Sequence, residues 1–502
     1  MIRHPNRRDI LRTAAKFAVT GSFGAGYAAL AHAQQPSRPG AAPFAKINAV
    51  LRAATDAGEL PGVVALAATG KGIVYEGVFG KRRFDARAAM TRDTVFRIAS
   101  MVKPITTVAA LQLVEQGKLS LDAPVPEIDP ALAAPQVFDG FDAAGAPRLR
   151  PPKRPITLRH LLTHTSGFTY RLWDARAMQY LNSIGRIPAA DRKKAPRSVL
   201  MFDPGEHWQY GPSIDWAGRI VASISGQPLD AYFREHILDP LGMKDTAFVI
   251  SPEQRAREAS SHRRKTDGSL VPQPPEPIPT GHSFAGGAGI YSSGPDYLTF
   301  IRMLMHGGSL GGARILRPET VALMGQNQIG AVDVHPLKTS GPAASNDVDF
   351  FPGIGLKWGF GHMINTQAGP DGRSAGSLTW GGRSRQDSRR GKKGRGKSAA
   401  RGGTADIVAA QDRGAQDSRR RQARRRRQGA RRRQDGRGQV AGRGPQAEGR
   451  RPGRRVGGAA RRRQGRCETE ARYTGRRKGR SQGSREEKSR VRQGGKRGKA
   501  RA

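Results

Sequence analysis

Phe96-Arg97-Ile98-Ala99-Ser100-Met101-Val102-Lys103-Pro104-Ile105-Thr106 runs almost directly into the apolar stretch Val108-Ala109-Ala110-Leu111-Gln112-Leu113-Val114. The apolar stretch predicts a buried helix. A spacing of three sets the Ser100 hydroxyl and the Lys103 amine on one face of its first turn. A serine hydroxyl is a weak nucleophile at neutral pH and needs a neighbouring base to take its proton. Burial disfavours the charged form of a lysine, so a lysine shielded from water can form part of that base. Ser-x-x-Lys can therefore build a nucleophile without histidine. The pattern is short and common, and it gains weight only from motifs farther along the chain.

Outward from this stretch the chain reads as mixed α and β. Phe44 to Ala57 carries Phe44, Ile47, Val50, Leu51 and Ala54 at helical spacing. Val63 to Ala68 and Ile73 to Phe79 read as strands joined by Thr69-Gly70-Lys71-Gly72, a hairpin signal. Pro/Ala-rich loops follow from Ala123 to Pro155, then a short helix at Thr157–Leu162. Ile214 to Ile224 and Leu229 to Ile237 read as helices, Pro272 to Pro279 as a proline-rich loop, and Pro295 to Leu304 as a helix with Pro in its first turn. This order, with a return to strand near Trp380 and no internal repeats, predicts an α+β sandwich rather than alternating βαβ units.

Two further stretches carry candidate chemistry. In Glu206-His207-Trp208-Gln209-Tyr210-Gly211-Pro212, Tyr210 follows the turn Asp203-Pro204-Gly205 and precedes a helix, a junction where a side chain can face a cleft. A tyrosine beside a cationic lysine is favoured as phenolate, and can take a serine proton and later return it to a leaving group. Taken alone, a tyrosine after a tryptophan is more often a packing residue. Trp380-Gly381-Gly382 could begin a strand walling the cleft, its glycines allowing close approach of backbone to substrate. The bland reading is a turn.

In this order the motifs resemble those of the serine β-lactamase and penicillin-binding superfamily, most closely its esterase branch, the family VIII carboxylesterases. Ser100-Met101-Val102-Lys103 matches that family's Ser-x-x-Lys. Tyr210-Gly211-Pro212 stands where the family has Tyr-x-Asn or Tyr-Ser-x, and Trp380-Gly381-Gly382 stands where penicillin-recognising members have Lys-Thr-Gly. Leu161-Leu162-Thr163-His164-Thr165-Ser166-Gly167-Phe168, Pro240-Leu241-Gly242-Met243-Lys244-Asp245-Thr246 and Gly286-Gly287-Ala288-Gly289-Ile290-Tyr291-Ser292 complete the likeness, which covers about residues 44–382.

The resemblance implies a β-lactamase/transpeptidase-like fold, an antiparallel sheet flanked by helices with a helical lobe. It also implies Ser100 as acylated nucleophile, Lys103 sharing its proton and Tyr210 as general base and acid. The oxyanion would be held by the backbone N–H groups of Ser100 and Arg383, with Trp380, Gly381 and Gly382 as the substrate wall. Removing one such donor typically costs on the order of 100- to 1000-fold in rate. Nothing after Arg383 reads as a strand, so the family's last core strands and closing helix are missing from the sequence. Lys338-Thr339-Ser340-Gly341 and Lys265-Thr266-Asp267-Gly268 imitate Lys-Thr-Gly, but each carries an insertion and precedes the expected strand. His164 and His282 invite a serine–histidine reading, but in the family the His164 loop is mainly structural. No acid or histidine cluster has metal-ligand spacing, and no cofactor is implied.

The ends of the chain speak another language. The formal charge is +45, but residues 383–502 hold 43 Lys+Arg against 10 Asp+Glu, leaving a net of only +12 for residues 1–382. Those last 120 residues contain no Leu, Phe, Met, Trp or His. Such a segment cannot bury enough apolar area to offset chain entropy and is expected to be disordered. Its runs, such as Arg424-Arg425-Arg426-Arg427 and Arg431-Arg432-Arg433, have the look of an out-of-frame translation of a GC-rich gene. The other reading is a basic tail binding polyanions non-specifically, with no specific nucleic-acid partner. At the start, Asn6-Arg7-Arg8-Asp9-Ile10-Leu11-Arg12, a mildly apolar stretch from Phe17 to Leu30 and Ala31-His32-Ala33 predict a twin-arginine leader over 1–33. Cleavage would follow Ala33, with the export machinery as partner and a periplasmic or secreted destination. That stretch is too weak for a membrane span. The only cysteine, Cys467, excludes a disulfide framework.

Residues 34–382 are thus expected to be a serine hydrolase domain acting on small short-chain esters. An indole at Trp380 cannot bind a substrate carboxylate as Lys-Thr would. The alternatives are a β-lactamase or D-alanyl carboxypeptidase-like enzyme reading the carboxylate with Arg373 or His362, and a catalytically impaired chain lacking its last strands.

Overall fold

The helix predicted from Val108 to Val114 spans Val102–Glu115, and all of it but Val114 and Glu115 is buried. A helix apolar on every side belongs inside a core, and this one is the axis around which the domain packs. Each fully buried leucine or isoleucine such as Leu111 or Ile105 contributes about 1.5–3 kcal/mol of transfer free energy. Gln112 reaches across to distant backbone, its amide donating to the carbonyls of His236 and Ile315 at 3.0 and 3.1 Å. The main core joins this helix to Leu158–Leu162, Ser213–Ser225, Leu229–Phe233 and Gly294–Met305.

The computed structural model describes residues 44–382 apart from 126–127, 130–131, 133–134, 187–198, 266–268, 280, 282–283, 343–344 and 371. The leader (1–33), His282, most of Lys265-Thr266-Asp267-Gly268 and everything from Arg383 onward lie outside the described residues. Among the described residues no helix is long and apolar enough to cross a membrane.

Every strand ladder is antiparallel. Gly62–Thr69 pairs with Gly72–Gly80, from Gly62↔Gly80 to Thr69↔Gly72, as the hairpin signal predicts. The helix Ala45–Asp56 lays Ile47 and Leu51 against Tyr75 of this hairpin. Val95–Arg97, just before Ser100, pairs with Tyr291–Ser293. Leu356–Trp358, Met363–Asn365 and Leu378–Thr379 form a three-stranded piece. This is the α+β arrangement expected.

Local signals account for the element ends. Thr157 is the cap of Leu158–Leu162, its hydroxyl accepting the His160 N–H while His160 Nδ1 accepts the Thr157 N–H. Ser293 caps Gly294–Met305, with Pro295 in its first turn. The Pro240–Thr246 motif is a docking loop. The carboxylate of Asp296, on the Gly294–Met305 helix, accepts the Asp245 N–H at 2.7 Å and the Thr246 hydroxyl at 2.9 Å.

Candidate active site

Ser100 follows a strained residue. Ala99 has φ +48°, and among the described residues only Ala99 and His164 are non-glycine residues at positive φ. Such conformations persist where surrounding packing imposes them, and they cluster at functional sites. The turn Ala99–Met101 leads directly into Val102–Glu115. It leaves the Ser100 side chain partly exposed while Met101 and Val102 are fully buried.

Lys103, buried one turn on, donates to Ser100 Oγ at 3.1 Å and to the Gly287 carbonyl at 2.7 Å. Tyr210 Oη lies 2.6 Å from the same Ser100 Oγ and donates to it. Loss of the phenol proton reverses that bond, so that Oη accepts the serine proton. The Lys103 ammonium also lies 5.1 Å from the Tyr210 ring centroid and 5.8 Å from that of Tyr170. The structure thus brings together three of the residues the sequence singles out, from positions 100, 103 and 210.

Tyr210 is placed by its neighbours in sequence. Asp203 is fully buried and paired in two-pronged fashion with Arg150 at 3.0 and 2.6 Å, and it accepts the Lys153 N–H at 2.7 Å. The Gly205 N–H donates to Thr165 O at 2.7 Å and the Gln209 N–H to His164 O at 3.0 Å. The Leu161–Phe168 loop is therefore the bed on which the Tyr210 segment is laid, as the family reading of it implies.

The Arg150 guanidinium, then the Lys153 N–H, hold the Asp203 carboxyl well below the usual carboxylate range. Its stabilising contribution is complete above an unfolded-state value of about 3.9 and fades as pH falls through the lower folded-state value. Asp203→Asn is accordingly expected to flatten the loss of stability between about pH 4 and pH 2, measured by denaturant titration at several pH values. Parallel curves for the variant and the parent chain would refute this.

The Tyr210 ring is enclosed by aromatic groups: His164 at 5.0 Å, Trp380 at 5.1 Å, Tyr170 at 5.2 Å and Trp173 at 5.7 Å between centroids. His164 is buried, and neither of its ring nitrogens has a hydrogen-bond partner among the described residues. Burial, with the Lys103 cation adding to it, pushes the imidazole well below its ordinary value, so it stays neutral. It is an aromatic backing for Tyr210 rather than a base for Ser100. Burial likewise pushes Tyr170 well above the usual phenol range, with Tyr210 and Asp215 adding to it. Tyr170 is a neutral hydroxyl beside Lys103.

Trp380-Gly381-Gly382 directly follows the two-residue strand Leu378–Thr379. A Cβ on Gly382 would collide with the Ile98 carbonyl, so glycine lets the segment lie against the approach to Ser100. The Trp380 indole, buried, donates Nε1–H to the Ser100 carbonyl at 3.0 Å. It is a clamp on the backbone of Ser100. Arg383 lies outside the described residues.

The remaining candidates do not join the site. Arg373 is buried, with its guanidinium over the Phe351 ring and an NH1 bond to Thr379 Oγ1 at 2.6 Å. His362 is buried too, Nδ1 3.3 Å from the Phe360 carbonyl. Lys338 is exposed and pairs with Asp347. Two residues that sequence reasoning passes over do join it. Asp215 Oδ1 accepts the Gly287 N–H at 2.6 Å, and Gly287 O holds Lys103. An acid among Ile214, Trp216 and Ala217 was the available signal, but a first-turn acid reads equally as a partner of the helix dipole.

Residues 47–443 match the beta-lactamase family. The chain is 36% identical over 301 residues to acyltransferase mokF of Monascus pilosus, covering 57% of this chain and 71% of that protein. It is 32% identical over 358 residues to lovastatin esterase of Penicillium rubens, covering 67% and 87%. Among solved structures it is similar to unliganded simvastatin synthase of Aspergillus terreus, with a TM-score of 0.57 at 31% identity over 68% of this chain and 88% of that one. On this fold Ser100 is flanked by Lys103 and Tyr210, and the chain belongs to the beta-lactamase family, as a serine hydrolase close to its esterases and acyltransferases.

Proposed function

We propose that the protein cleaves short-chain carboxylic esters through an acyl-enzyme on Ser100, with Tyr210 and Lys103 acting together as the base. The observation that carries this reading is the convergence of Tyr210 Oη and Lys103 Nζ on Ser100 Oγ, at 2.6 and 3.1 Å. In its phenolate form Tyr210 takes the serine proton as Oγ attacks the ester carbonyl carbon. The tetrahedral oxyanion is held by the Ser100 N–H together with the Arg383 N–H that the family resemblance assigns. When the C–O bond breaks, Tyr210 returns the proton to the departing alkoxide and leaves an acyl group on Ser100. Water, activated by Tyr210 in the same way, attacks the acyl carbon and frees the acid.

The ester assignment is supported by the indole of Trp380 and by the aromatic lining of Tyr170, Trp173 and Trp380 around Tyr210. A β-lactam or a peptide terminus carries a carboxylate that needs a cationic or hydroxyl partner. Arg373 and His362, the residues considered for that task, are turned to Phe351 and Thr379 and to Phe360. The relatives' names favour a second acceptor beside water, an alcohol that takes the acyl group from Ser100.

The full-length chain is expected to turn over 4-nitrophenyl acetate and butyrate. Mass spectrometry of the quenched reaction is expected to find the acyl group on Ser100. Rapid nitrocefin hydrolysis with no ester turnover would overturn the ester assignment.

A further inference from the structure

We propose that Asp215 is a positioning residue of this site, holding Lys103 on Ser100 through the backbone of Gly287. The inference rests on Ser100 being the nucleophile. A lysine side chain is long and flexible, and a catalytic amine needs an anchor besides its target. Here the anchor is the Gly287 carbonyl, 2.7 Å from Nζ. That carbonyl belongs to a loop with no regular structure of its own, so something must fix it.

Two side chains do so. Thr106, one turn beyond Lys103 on the same buried helix, donates to the Gly286 carbonyl at 2.6 Å. Asp215, from the helix that follows Tyr210, accepts the Gly287 N–H at 2.6 Å. A bond from a backbone N–H to a carboxylate is among the stronger kinds. The space is closed around it: a Cβ on Gly287 would lie 2.5 Å from Asp215 Oδ1 and 3.1 Å from Lys103 Nζ. Only glycine leaves room for the carboxylate and the amine to approach the loop together.

A role limited to the helix dipole does not explain this placement. A dipole partner acts as well from solvent, whereas Asp215 is directed at a loop 72 residues away. Lys103 is faced by the rings of Tyr170 and Tyr210, by neutral His164 and by Asp215, whose carboxyl is pushed up by burial and drawn back down by Lys103 and the Gly287 N–H. Asp215 also ties the helix after Tyr210 to the loop that holds Lys103, so base and amine keep a common register on Ser100.

The test compares Asp215→Asn with Asp215→Ala in the full chain, using 4-nitrophenyl butyrate. Asparagine keeps an oxygen for the Gly287 N–H and removes only the charge, while alanine removes both. Asp215→Ala is expected to lower kcat about 10- to 100-fold, the loss of a hydrogen bond to a charged group, with KM within about threefold. Asp215→Asn is expected to lose less. A purely structural role would shift KM or stability together with kcat and would not be relieved by asparagine. Normal kcat in Asp215→Asn and Asp215→Ala, with Ser100→Ala inactive, would overturn this proposal alone. Turnover retained by Ser100→Ala would instead overturn the reading on which it rests.

Discussion

Ser100→Ala is expected to lower ester turnover by on the order of 10⁴- to 10⁶-fold, the range over which loss of a covalent nucleophile is felt. Alanine leaves the carbonyl carbon of the substrate with nothing to bond to, and Lys103 and Tyr210 with no proton to move. The fold has little reason to change. Ser100 is partly exposed, and the contact that pins it, Trp380 Nε1 to the Ser100 carbonyl, is made to backbone that alanine retains. The variant should therefore melt close to the parent chain, bind ester without burst release of nitrophenol, and lose labelling by a fluorophosphonate probe. Labelling that persists on another serine would show that the nucleophile lies elsewhere.

Tyr210→Phe is expected to lower kcat by about 10²- to 10⁴-fold, the usual worth of a positioned acid–base group. The substitution removes only Oη. The ring stays packed among His164, Trp380, Tyr170 and Trp173, so substrate binding should hold and KM should move little. The distinction between kcat and KM is the informative part. A fall in kcat with constant KM marks a group used in the transition state, while a rise in KM alone would mark a wall residue. Small thiol-free nucleophiles added to the assay should not rescue the variant, since the missing step is proton transfer from Ser100. A kcat within about threefold of the parent would refute the role of Tyr210.

Much of the scaffold around Ser100 is legible along the chain because its causes are local. The apolar run after Lys103, the glycine turn at Thr69–Gly72, the Thr157 cap and Pro295 in a first turn act over a few residues, and the elements appear where those signals stand. Ser100 and Lys103 are legible for the same reason, being one turn apart. The clamp made by Trp380 is not legible, because its partner, the Ser100 carbonyl, lies 280 residues away. Asp215 and Gly287 share the difficulty: a first-turn acid and a glycine pair each have an ordinary local explanation.

Helix, hairpin and the serine–lysine pair were thus decided by short-range periodicity, capping and turn chemistry, which the order of residues carries directly. Only the tertiary structure decided that Tyr210 meets Ser100, that Trp380 closes over its carbonyl and that Asp215 reaches Lys103 through Gly287. Those contacts depend on close packing between segments far apart in the chain. There the clearance of a single Cβ, at Gly287 or Gly382, determines whether two backbones can meet.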